Sequence, residues 1–182
     1  MRNQKISIPY ILLVFGAVLF TWIFHEFGHW IVYKAMGYDA YLSLNKVGIR
    51  GEDLPNTAQR IWGAAGGPMI TLLQAIIVMI ILYKKGWNKY VYPFLFITFY
   101  MRFLAGIMNF ITPNDEGVIG QYFGLGLFTI SIVLSLILFW MVFKVSKKYQ
   151  LTLRFHLFTA LLVMLFSSLV ILSDQFIRIE LL

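Results

Sequence analysis

His25-Glu26-Phe27-Gly28-His29 forms an H-E-x-x-H pattern. Residues four apart share a helix face, so both imidazoles can reach one Zn²⁺ at about 2.0–2.1 Å. Glu26 is then carried beside the metal, where its carboxylate can take a proton from an attacking water. The three ionisable groups interrupt an apolar run that starts near Ile6 and resumes in Trp30-Ile31-Val32-Tyr33. Such groups are costly inside a membrane span and usually serve function; the bland alternative is a set of interfacial residues at a helix end. A catalytic zinc takes three protein ligands and keeps one open position. The chain has no cysteine, so the third ligand must be His, Asp or Glu. Asp115 is the candidate, in Asn109-Phe110-Ile111-Thr112-Pro113-Asn114-Asp115-Glu116-Gly117, with Glu116 as its competitor. An Asp there also reads as a helix cap, and capping does not exclude ligation. The remaining histidine, His156, opens the last apolar run near Arg154 and reads as an interfacial residue.

The elements that must position these groups are membrane helices. The 182 residues suit one domain, taken as 1–182. Hydrophobic residues make up 60% and charged ones 13%, against about 45–50% and about 25% in soluble chains. Mean hydropathy is +0.78. So few charges cannot keep such a chain in water, which excludes soluble and disordered classes. The net charge of +7 sits mostly in short gaps between apolar runs, where it orients spans and meets anionic headgroups. The expected partner of that charge is the lipid bilayer, not nucleic acid.

Five stretches reach the length of about 20 residues that a crossing needs. They are the run from Ile6 through the motif, Ile61–Tyr83, about Trp87–Ile111 interrupted by Arg102, Gly117–Phe143, and about Phe155–Ser173. The start resembles a signal peptide, but no small-residue cleavage site follows, so it reads as a retained span. Trp22, Trp30, Trp62, Tyr83, Trp87, Tyr90, Trp140 and Tyr149 fall near several proposed ends, as an interfacial aromatic belt requires. Between the first two spans, Tyr38–Asn56 is polar with short alternating pieces, suggesting a small surface β-hairpin or an irregular loop. The expected fold is therefore an all-α polytopic membrane protein with about five transmembrane helices and a hairpin or loop after the first. Gly63-x-x-x-Gly67 in the second span is a spacing that lets helix backbones approach closely.

An intramembrane H-E-x-x-H, a Gly63-Ala64-Ala65-Gly66-Gly67-Pro68 segment opening the second span, and an Asn…Pro-x-Asp segment opening a later one resemble the site-2 protease family of intramembrane zinc metalloproteases. The resemblance covers about residues 8–143 and leaves the last span outside it. It implies His25, His29 and Asp115 as zinc ligands, Glu26 as catalytic base, and Asn109 as the matching upstream Asn. In the family Asp-Gly is commonly direct, whereas here Glu116 intervenes before Gly117.

The reaction implied is peptide hydrolysis at one zinc per chain, in the transmembrane segment of another membrane protein. Such a substrate must unwind to expose its carbonyls, and the hairpin could receive it as an added strand. A non-enzymatic metal-binding or metal-transport protein would use the same ligands but would not need Glu26 as base. Arg102 and Asn109 lie two helical turns apart on one face of the third span. That face is expected to turn towards the zinc, with Asn109 nearest it as donor to the developing oxyanion and Arg102 deeper, paired with a carboxylate or carbonyl. Counting Lys and Arg in the gaps favours a cytoplasmic N-terminus, nine residues against five, in a multi-pass protein of the cell membrane. That arrangement puts the motif and Asp115 together in the outer half.

Overall fold

In a computed structural model, residues 3–51, 54–177 and 180–182 are described. Arg2 and Arg178, both used in the charge count, lie outside them. The order is α1 (Ile8–Ala35), β1 (Ala40–Leu42), β2 (Val47–Ile49), α2 (Thr57–Lys85), α3 (Tyr92–Met108), α4 (Asp115–Tyr122), α5 (Thr129–Tyr149) and α6 (Leu153–Ile177). Among the described residues four helices, α1, α2, α5 and α6, are long and apolar enough to cross a membrane. The chain is thus an all-α, multi-pass integral membrane protein with a hairpin after its first helix.

Local signals set the helix limits. Pro9 preorganises the first turn of α1, and Gly37, at φ +89°, follows its end. An Asn56–Gln59 capping box starts α2, and Lys84, Lys85 and Gly86 finish it. Pro93 starts α3 later than the expected Trp87, so this helix has 17 residues. At 1.5 Å per residue it is about 25 Å long, short of a hydrocarbon core of about 30 Å.

The expected fourth span, Gly117–Phe143, is not continuous. It divides into the short α4, a turn at 123–128, and α5. Gly124 and Gly126 sit at φ +69° and +84°, where only glycine is free of a Cβ penalty. A Cβ on Gly120 would meet the Gly126 carbonyl, so the chain folds back tightly over α4. Asp115 therefore heads an eight-residue helix and not a long apolar one.

α1 and α2 cross in backbone contact: a Cβ on Gly28 would strike the Gly66 carbonyl, and one on Gly66 the Gly28 carbonyl. The closest approach is thus made by Gly66, one residue from the expected Gly63-x-x-x-Gly67 pair. Towards the other end of the bundle the core joins Tyr10, Val14 and Val18 to Leu82, Leu95, Ile97, Val145 and Phe155. Three polar pairs link helices through the interior. Tyr10 meets Thr159 at 2.7 Å, Gln74 donates to Thr21 at 3.0 Å, and Trp22 donates to Ser167 at 3.1 Å. Trp22 is therefore a core residue and not part of an interfacial belt.

One end of the bundle gathers the N-terminal segment and the basic turns. Lys89 donates to the Lys5 carbonyl, Trp87 to the Asn3 carbonyl and Gln4 to the Gln150 carbonyl. The other end carries the hairpin, whose antiparallel register pairs Ala40 with Ile49, Tyr41 with Gly48 and Leu42 with Val47. The outer edge of β1 is taken by the chain itself. The Leu42 N–H donates to the Leu182 carbonyl at 3.0 Å, the Leu181 N–H donates to the Leu42 carbonyl at 2.7 Å, and Ser43 bridges Glu180. Asp174 of α6 accepts from the Leu44 N–H at 3.0 Å. Among the described residues, β2 has β1 as its one strand neighbour.

Candidate metal centre

The H-E-x-x-H register places His25 and His29 one turn apart on the buried face of α1. Gly67 of α2 lies directly beneath both rings, because a Cβ there would meet His25 Cε1 and His29 Nε2. The Gly63 carbonyl is 2.7 Å from His29 Nδ1. A carbonyl only accepts, so a bond at this distance needs the proton on Nδ1 and leaves the Nε2 lone pair for a metal; the Gly67 N–H approaches the same Nδ1 at the longer distance of 3.3 Å. Pro68 has no N–H to offer the Ala64 carbonyl, and Ala64 lines the cavity in front of the histidines.

Asp115 reaches the histidines from the turn after α3. Asn114, not Asp115, is the helix cap: its side chain accepts from the Gly117 N–H and donates to the Ala105 carbonyl. The Asp115 carboxylate is thereby released from capping. Its Oδ2 lies 3.2 Å from His25 Nε2 and 3.3 Å from His29 Nε2, and the two histidine nitrogens are 3.1 Å apart. A tetrahedral zinc with donors at about 2.0–2.1 Å has donor–donor edges of about 3.3–3.4 Å. The three atoms form a triangle close to one face of such a site. They are a candidate metal site on this geometry.

Glu116 stands elsewhere. Fully buried, it pairs with Arg102, which is the carboxylate partnership expected for a lone arginine inside a span. Arg102 lies nearer the cluster than expected: its Nη2 is 3.3 and 3.4 Å from the two ring nitrogens of His25, and its Nη1 is 3.9 Å from Asp115. Asn109 has the opposite fate. Its amide donates to the Leu127 carbonyl at 3.2 Å and to Ser131 at 3.0 Å, and its Oδ1 accepts from the Asn114 N–H at 2.9 Å. Both amide hydrogens are committed, so the structure does not present Asn109 as an oxyanion donor; it fastens the 109–114 turn that carries Asp115. His156 bonds Tyr92 and Ser146 at 3.0 and 2.7 Å, away from the cluster.

Glu26 is 7% exposed and, among the described residues, has neither a hydrogen bond nor an ion pair. With His25, His29 and Asp115 it lines a cavity of about 300 Å³, completed by Tyr33, Ala64 and the hairpin residues Asn45, Lys46 and Val47. Sequence reasoning assigned no role to Tyr33, Asn45 or Lys46; for Tyr33 the available signal was its position four residues beyond His29.

The Arg102–Glu116 pair gives a stability prediction. Arg102→Leu strands a carboxylate with no exposed surface, a change that costs about 3–5 kcal/mol for a buried pair. Thermal unfolding in detergent should show a large loss, partly recovered when Glu116→Leu is added. A single variant as stable as the wild type would refute the pairing.

The fold and site define a class: a multi-pass helical membrane protein with a buried His-His-Asp cluster. Comparison with family models, curated proteins and solved structures found no match to this chain.

Proposed function

We propose that this protein is an intramembrane zinc metalloprotease of the site-2 protease kind, cleaving peptide bonds in or near transmembrane segments of other membrane proteins. The observation that carries the reading is the donor triangle of His25, His29 and Asp115 with an unpaired, buried Glu26 in the same cavity. A zinc held there supplies the Lewis acidity that polarises a carbonyl and acidifies water. Glu26 takes a proton from the water that adds to the scissile carbonyl carbon, then passes it to the nitrogen as the C–N bond breaks. Gly63 fixes the His29 tautomer, and Arg102 holds the flank of His25 and Asp115 while Glu116 balances its charge. The whole chain from α1 to α6 acts as one domain, with α6 tied to the hairpin through Asp174.

An unwound substrate can add as a strand only where an edge is open. The chain's own residues 180–182 occupy β1, which leaves the outer edge of β2, whose Val47 lines the cavity. The test is mass spectrometry of peptides released from membranes that contain the protein. Release should stop on chelation and return with Zn²⁺. Zinc-dependent ion flux without any released peptide would favour a transporter.

Orientation is a separate prediction. The N-terminal segment from Asn3, the 84–89 turn and the turn at Gln150 share one end of the bundle, and the excess of Lys and Arg there supports a cytoplasmic location for that end. The chain has no cysteine, so single cysteines introduced at 84–89 report cleanly. They should resist impermeant reagents added from outside; labelling from outside would reverse the assignment.

A further inference from the structure

α1 carries a third polar side chain in register with the two histidines. His25, His29 and Tyr33 recur every four residues and so form one stripe along the helix. Tyr33 lines the metal cavity itself and is half-buried there. Its phenol has no hydrogen-bond partner among the described residues. The ring end rests on Gly63, where a Cβ would strike both Cζ and the hydroxyl. That glycine is the one whose carbonyl anchors His29. The slot therefore holds a free O–H beside the anchor of a candidate ligand.

Peptide hydrolysis builds negative charge on the scissile carbonyl oxygen, and a donor aimed at it contributes strongly to rate. Asn109 cannot serve, since both its amide hydrogens are used. The remaining side-chain donors lining the cavity are Tyr33, Asn45 and Lys46, besides the cluster itself. Asn45 and Lys46 belong to the hairpin turn, whereas Tyr33 stands on the helix that bears the histidines, the more exact mount for a reacting group. We propose that Tyr33 is a catalytic residue, its phenol donating a hydrogen bond to the scissile carbonyl oxygen as charge develops there. It keeps its proton throughout, and the water proton moves by way of Glu26. The assignment rests on the protease reading above.

Tyr33→Phe removes only the hydroxyl. It should lower kcat by about 10²–10³-fold, leave KM nearly unchanged, and retain the zinc content and thermal stability of the wild type. Affinity for a peptide phosphonate, whose charged oxygens mimic the developing oxyanion, should fall by a similar factor. Affinity for intact substrate, measured in a Glu26→Gln background, should not change. Wild-type kcat and phosphonate affinity would overturn the proposal, as would joint loss of zinc, stability and activity, which would mark the tyrosine as structural. If Glu26→Gln stops cleavage while Tyr33→Phe does not, the Tyr33 assignment alone falls. If cleavage persists in Glu26→Gln, the protease reading falls and takes this one with it.

Discussion

Glu26→Gln is expected to slow hydrolysis by about 10²–10⁴-fold, the usual worth of a positioned base, with zinc still near one per chain. Gln is nearly isosteric with Glu and cannot accept the proton. The prediction of retained metal follows from geometry. The donor triangle is complete without Glu26, because His25 Nε2, His29 Nε2 and Asp115 Oδ2 are already within 3.1–3.3 Å of one another. Glu26 is instead an unpaired carboxylate on the cavity wall. Single substitutions His25→Ala, His29→Ala or Asp115→Ala should behave in the opposite way and lose metal, since each removes a corner and no thiolate can replace it. Metal content by elemental analysis, measured beside a cleavage assay, separates the two patterns. Loss of zinc in Glu26→Gln with activity retained would invert the roles assigned to these residues.

The features that could be read along the chain are those whose cause is local. The H-E-x-x-H histidines meet because four residues make about one helical turn, and the hairpin appears where polar alternation replaces apolar runs. The cost of an arginine in a span announced that Arg102 must have a partner. Its identity, Glu116, depends on how the turn after α3 folds back, and no periodicity reports that. Hydropathy joined Gly117 to Phe143 because it weighs side chains and is blind to φ. The positive φ of Gly124 and Gly126 breaks that run. The same break explains Asn109: the Leu127 carbonyl and Ser131, which consume its donors, come to it only through the turn at 123–128. The pairing of residues 180–182 with β1 is likewise long-range and too short to leave a pattern.

Gly67→Ala should abolish high-affinity zinc binding although it alters no ligand. A methyl group at position 67 would press on His25 Cε1 and Nδ1 and on His29 Nε2, and the last of these is a corner of the donor triangle. The rings have little room to yield. His29 is pinned by the Gly63 carbonyl at 2.7 Å, and His25 is flanked by Arg102 Nη2 at 3.3 Å. Displacing a reacting group by about 1 Å typically costs about 10²-fold in rate, so activity should fall at least that far even with zinc in excess. The neighbouring glycine supplies the control. Gly66→Ala meets backbone, the Gly28 carbonyl, and should separate α1 from α2, lowering folded yield before any question of metal arises. Two adjacent glycines are thus expected to fail differently, position 67 as folded protein without zinc and position 66 as protein that does not fold. Gly67→Ala protein that binds zinc with wild-type affinity would show that the two rings do not face α2 across this contact, and the candidate metal centre would have to be redrawn.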